Sequence, residues 1–105
     1  SIDGFCPMGP LLATKDELDP LSEVELRTFV NGELRQSAKL KDLIFDIPTI
    51  IAALAQRITL QAGDIIATGT PEGVGIGYKP PRFLKSGDRV RVEIDGLGIL
   101  DNPVE

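Results

Sequence analysis

The 105-residue sequence has no histidine and no tryptophan, a single cysteine at Cys6, and only 5% aromatic residues. Without histidine, neither a Ser-His-Asp nor a Cys-His nucleophile system can be built from these residues, and histidine-based zinc sites go with them. One cysteine cannot make an internal disulfide. No apolar run approaches the ~20 residues needed to span a bilayer. The first residues also lack the basic stretch and apolar run of a secretory signal. A cytoplasmic location with no membrane partner is therefore expected. Basic residues are scarce as well: eleven Lys and Arg stand against sixteen Asp and Glu, for a net charge of −5. Phosphate binding needs a basic patch and these cations are scattered, so nucleic acid is not an expected partner.

What is present, 42% apolar and 26% charged residues, suits one small globular domain with a modest core. Pro7, Gly9, Pro10 and Pro20 punctuate an irregular N-terminal segment. Val24, Leu26, Thr28 and Val30 then alternate with Glu25, Arg27 and Phe29, the period of a half-buried strand. Asn31-Gly32 predicts a tight hairpin turn into a second strand over residues 33–37. Asp46-Ile47-Pro48 reads as a helix start, with Asp46 as N-cap. Ile47, Ile50, Ile51, Leu54 and Ile58 share one face of a helix of about three turns ending near Arg57, which should lie against a sheet. Leu60-Gln61-Ala62-Gly63-Asp64 leads into an expected strand over residues 65–68, and the same turn pattern recurs as Leu84-Lys85-Ser86-Gly87-Asp88 before a strand over residues 89–94. Asp95-Gly96 predicts a further hairpin into residues 97–100. Strand and helix do not alternate, so the expected class is α+β, mainly β, with an antiparallel or mixed sheet.

Chemistry concentrates in residues 68–77, where four glycines fall within nine residues beside Thr68 and Thr70. Such a loop can be a wide turn, or it can bring backbone N–H groups and a hydroxyl up to an anionic oxygen. It is not a dinucleotide fingerprint: Gly73-Val74-Gly75-Ile76-Gly77 lacks the G-x-G-x-x-G register, and Pro80-Pro81 cannot open the helix required. No Gly-Lys-Ser/Thr is present, which removes the phosphate-binding P-loop. Cys6 has no histidine to activate it and reads as a small structural residue. Asp3 serves either a site or a turn. Asp16, Glu17 and Asp19 beside Lys15 read as solvated surface charge, whereas Glu72 is the acid whose glycine-rich setting suggests more.

Four motifs occur in order: D-G-F-C-P-M-G-P from Asp3, V-N-G-E-L-R-Q from Val30, L-x-x-G-D-I-I-A-T-G-T-P-E-G-V-G from Leu60, and L-K-S-G-D-x-V-x-V-E-I-x-G-L-G from Leu84. Together they resemble the fumarylacetoacetate hydrolase family over nearly the whole chain. The resemblance implies the C-terminal part of that catalytic domain, a mixed β-sandwich or roll that is incomplete here, and commonly a homodimer. It implies a magnesium or manganese ion that polarises an enolisable 2-oxo acid. Reactions of such a site include hydrolysis of C–C bonds in acylpyruvates and other β-diketo acids, isomerisation of 2-hydroxymuconate type, and decarboxylation of oxo acids. By position in the motif, Thr70 contacts the substrate carboxylate and Gly69 supplies nearby backbone. The family's metal-binding carboxylates, two glutamates in an E-x-E motif and a later aspartate, are expected upstream of these residues and its lysine would immediately precede Ser1, so no catalytic or metal-ligating residue is assigned. The resemblance thus predicts little or no turnover by these residues alone, as expected of a truncated gene or proteolytic product. The alternatives are a non-catalytic remnant acting as a binding or dimerisation module, and a β domain of accidental similarity.

Overall fold

The computed structural model describes residues 3–18 and 20–105. Four strands make one antiparallel sheet in the order β2-β1-β3-β4, with β1 at Glu25–Val30, β2 at Glu33–Lys39, β3 at Arg89–Ile94 and β4 at Gly98–Pro103. Asn31-Gly32 forms the first turn, with φ of 51° and 81°, the positive pair that a two-residue hairpin loop requires. Asn31 also locks the turn to β3: its amide nitrogen donates to Asp88 at 2.8 Å, and its carbonyl oxygen accepts from the Arg89 N–H at 2.9 Å.

Register separates the two faces of the sheet. Leu26 opposes Ile94 and Ala38, Thr28 opposes Val92 and Gln36, and Val92 opposes Leu100, which builds one largely apolar face. The other face carries Arg27 with Glu25, Glu93 and Asp95, all within 3.6 Å of its guanidinium nitrogens. Between Thr28 and Phe29 the β1–β2 register shifts, so Thr28 pairs with Gln36, Phe29 pairs with Leu34, and Arg35 is a bulge without an opposite residue.

Both repeated turns close in the same way. The Asp64 carboxylate accepts the Gln61 N–H at 2.8 Å, and the Asp88 carboxylate accepts the Lys85 N–H at 2.8 Å. Only the second turn feeds a strand. Residues 65–68, expected to be a strand, form none: they join no ladder of the described sheet, and a strand exists only as a member of one.

The helix, α1, spans Ile47–Ala55, and its N-cap is Asp46, whose carboxylate accepts the Thr49 N–H at 2.9 Å. It is nine residues long and stops short of Arg57. Ile50 of α1 lines a cavity of about 520 Å³ together with Leu26 and Ala38 of the sheet, and Ile47, Ile50 and Leu54 of the apolar stripe are half-buried. Ile51 is exposed, as is Ile58, which lies beyond the end of the helix. No described side chain is fully buried. No helix among the described residues is long and apolar enough to cross a membrane.

Candidate functional site

The loop over residues 68–77 is held by consecutive positions of β2. Gly73, at φ +99°, lies so near the Arg35 carbonyl that an added Cβ would overlap its oxygen. One position further along, the Gln36 amide nitrogen donates to Thr70 Oγ1 at 2.8 Å and to the Pro71 carbonyl at 3.0 Å. Past the loop, the Arg82 N–H donates to the Gly75 carbonyl at 2.8 Å. The Arg82 guanidinium in turn grips Glu33 of β2 through two bonds of 2.7 Å. Arg35 and Arg82 both lie over the Tyr78 ring, at 5.0 and 5.3 Å from its centroid. The bulge at Arg35 makes this possible by turning that residue out of the ladder.

Two concavities flank this junction. Thr68, Gly69, Thr70 and Pro71 line the 520 Å³ cavity, opposite Leu26, Leu43 and Ile50. The larger, of about 1010 Å³, is an open groove along the later part of the loop, walled by Gln36, Gly73 and Arg82. Thr70 and Gly69 are exposed to solvent at the first of these. The cation on that wall, Lys39, is spoken for by Glu23 at 3.2 Å. The Asp42 carboxylate also lines this cavity, where it accepts the Lys39 N–H at 2.9 Å; beside these paired charges Thr70 is a neutral donor and acceptor in a mostly apolar recess, able to direct a hydrogen bond at a carboxylate or enolate oxygen.

Other residues singled out in the sequence do not join this site. Glu72 is exposed and lines neither concavity. Cys6 is exposed, not a small interior residue, because the segment around it spreads Phe5 and Met8 into solvent as well. Asp3 is exposed. Asp16 and Glu17 accept from the Thr14 hydroxyl and N–H, and those bonds hold both carboxyls below their ordinary range. Asp19 and Ser1 lie outside the described residues.

Reading the motifs missed two features. Glu23-Val24-Glu25 does have the E-x-E spacing of a metal-binding pair. Glu23, however, is bound by Lys39 and Lys41, which lower its pKa, and Glu25 pairs with Arg27 at 3.2 Å. Among the described residues no three His, Cys, Asp or Glu side chains gather as a cation site. These residues do not fit a metal centre. The second feature is Gln36, a half-buried amide opposite Thr28 on the largely apolar sheet face. A polar residue at an inward strand position was the only signal for it, and the bulge hides which positions point inward.

Comparisons with known proteins bear on the family and the fold. The chain matches Fumarylacetoacetate (FAA) hydrolase C-terminal over residues 1–105. It is 51% identical over 104 residues to oxaloacetate tautomerase YisK of Bacillus subtilis, covering 99% of this chain and 35% of that protein. A fumarylacetoacetate hydrolase from the psychrophile Exiguobacterium antarcticum superposes with a TM-score of 0.93 at 51% identity, over 100% of this chain and 38% of that one. The maleylpyruvate hydrolase of Sphingobium sp. SYK-6, in complex with manganese(II) and pyruvate, gives a TM-score of 0.84 at 45% identity, over 95% and 35%. The chain thus spans about a third of the length of the relatives it matches. Sheet order, loop and motifs converge on one conclusion: this chain belongs to the fumarylacetoacetate hydrolase family.

Proposed function

We propose that residues 68–71 form the carboxylate-binding edge of an active site for small 2-oxo acids, in an enzyme whose chemistry proceeds through an enolate. The observation that carries this reading is the exposed Thr70 hydroxyl at the rim of the 520 Å³ cavity, tied down by Gln36. Thr70 and the Gly69 backbone bind and orient the carboxylate, leaving the ketone to be acted on elsewhere.

Hydrolysis of an acylpyruvate C–C bond and tautomerisation of a 2-oxo acid both need that enolate, so one anchoring loop serves either. The names of the relatives span both, a maleylpyruvate hydrolase and an oxaloacetate tautomerase. Magnesium or manganese belongs to the proposed enzyme, but its ligands are not among the residues described here, and no metal step is assigned to them. By this reading the 105 residues alone bind weakly and do not turn over substrate.

The test is Thr70→Val in the native full-length protein, assayed with acetylpyruvate and with oxaloacetate in the presence of magnesium or manganese. Losing one hydrogen bond to a charged group lowers kcat/KM by roughly ten- to a hundredfold. Wild-type kcat/KM in that variant would sink the assignment of Thr70. Metal-dependent turnover by the 105-residue chain would sink the claim that it is inactive by itself.

A further inference from the structure

Gln36 sits opposite Thr28 on a sheet face built mostly from Leu26, Val30, Ala38, Val92 and Leu100, and a half-buried amide in such a place needs partners. It has two, Thr70 Oγ1 at 2.8 Å and the Pro71 carbonyl at 3.0 Å. The Pro71 carbonyl can only accept, so the group facing it is the amide NH2, which settles which way the amide points. Nε2 is therefore a donor to the Thr70 oxygen as well. A threonine hydroxyl has one proton, and here its oxygen already accepts from Gln36, so that proton must be directed elsewhere. The nearest protein acceptor is the Pro71 carbonyl at 3.5 Å, too long to compete with a ligand.

We infer that Gln36 is a positioning residue for ligand binding: its amide fixes the Thr70 hydroxyl as a donor aimed into the cavity, and pins the Pro71 carbonyl so that the loop keeps that aim. The inference rests on the reading of Thr70 as the carboxylate contact, and it adds a residue from a different strand, 34 positions away in sequence. Directional hydrogen bonding to Thr70 Oγ1 also explains why the loop is built on a polar side chain at an inward site, where an aliphatic one would pack the sheet better.

The experiment is a double-mutant cycle on the native full-length protein, with pyruvate as the probe at fixed manganese(II), read as Kd by calorimetry. Gln36→Leu is expected to weaken pyruvate about three- to tenfold, the loss of one directed hydrogen bond. In a Thr70→Val background the same change is expected to cost almost nothing, because there is no hydroxyl left to aim. Equal losses in both backgrounds would make Gln36 merely structural and overturn the inference. An unchanged Kd for Gln36→Leu in the wild-type background would do so too. If Thr70→Val alone leaves pyruvate binding intact, or the wild-type protein binds no pyruvate, the carboxylate reading itself falls and the inference falls with it.

Gln36→Glu covers the case in which the leucine variant does not fold. Its ionised carboxylate accepts the Thr70 proton and draws the hydroxyl away from the ligand. Affinity relative to wild type is therefore depressed at pH 7 and recovers as the introduced carboxyl protonates and donates again. A loss relative to wild type that is independent of pH would count against a positioning role.

Discussion

Gly73 rests against the main-chain carbonyl of Arg35, with no room between them for a methyl group. The two residues are 38 positions apart, and the contact seats the glycine-rich loop on the bulge of β2. Gly73→Ala must displace one backbone or the other, and it also places a side chain at φ +99°. We expect a destabilisation of about 2 kcal/mol or more, seen as a lower urea midpoint of the native full-length protein, with weakened pyruvate binding. A variant as stable as wild type would show that the loop is not seated on Arg35.

The two x-x-Gly-Asp turns share a hydrogen bond but not a load. Among the described residues the Asp64 carboxylate accepts only the Gln61 N–H, whereas the Asp88 carboxylate also accepts from the Asn31 amide and so joins the β1–β2 hairpin to β3. Asp88→Ala is therefore expected to lower the thermal midpoint clearly more than Asp64→Ala. Equal effects would mean that the Asn31 link carries no stability.

The Asp46 cap should be visible locally. Its carboxylate holds the Thr49 N–H, and its own carbonyl starts the helix by accepting from the Ile50 N–H at 3.0 Å. Because α1 is only nine residues long and none of its side chains is fully buried, the cap matters more than usual. Asp46→Ala should speed amide hydrogen exchange several-fold at Thr49 and through the first turn, with little change in β1 or β3. Uniform acceleration across the sheet would contradict this.

Acid should loosen the fold in a defined window. Arg82 holds Glu33 below the ordinary carboxyl range, the Thr49 bonds do so for Asp46, and Asn31 with the Lys85 N–H does so for Asp88. A carboxyl whose pKa is lowered by folding favours the folded state above its unfolded value. That contribution disappears as pH falls through the folded value. The urea midpoint is thus expected to be flat from pH 7 to about 5 and to drop steadily below about 4. Replacing Asp88 by Asn should flatten the drop, and a midpoint independent of pH down to 3 would refute the attribution.

Local features were legible in the sequence because short-range chemistry decides them. Asn31-Gly32 turns the chain since both residues tolerate positive φ, Asp46 caps α1 since its carboxylate reaches the Thr49 N–H three residues on, and Gly63-Asp64 and Gly87-Asp88 close alike for the same reason. The ordered motifs also carried the family. Long-range pairing decided the rest. Residues 65–68 have the composition of a strand, yet a strand exists only where a neighbour supplies hydrogen bonds.

The inward or outward facing of β2 was equally invisible. Simple alternation would put Leu34, Gln36 and Ala38 on one face, but the bulge at Arg35 rephases the strand. Leu34, paired with Phe29, is left 52% exposed, while Gln36 faces the apolar side beside Thr70. The sequence by itself determined that residues 68–77 would be a glycine-rich loop with a hydroxyl at Thr70. Only the tertiary structure set that loop on Arg35 and Gln36, because a one-residue shift in register, specified by partners far along the chain, chooses which side chains meet it.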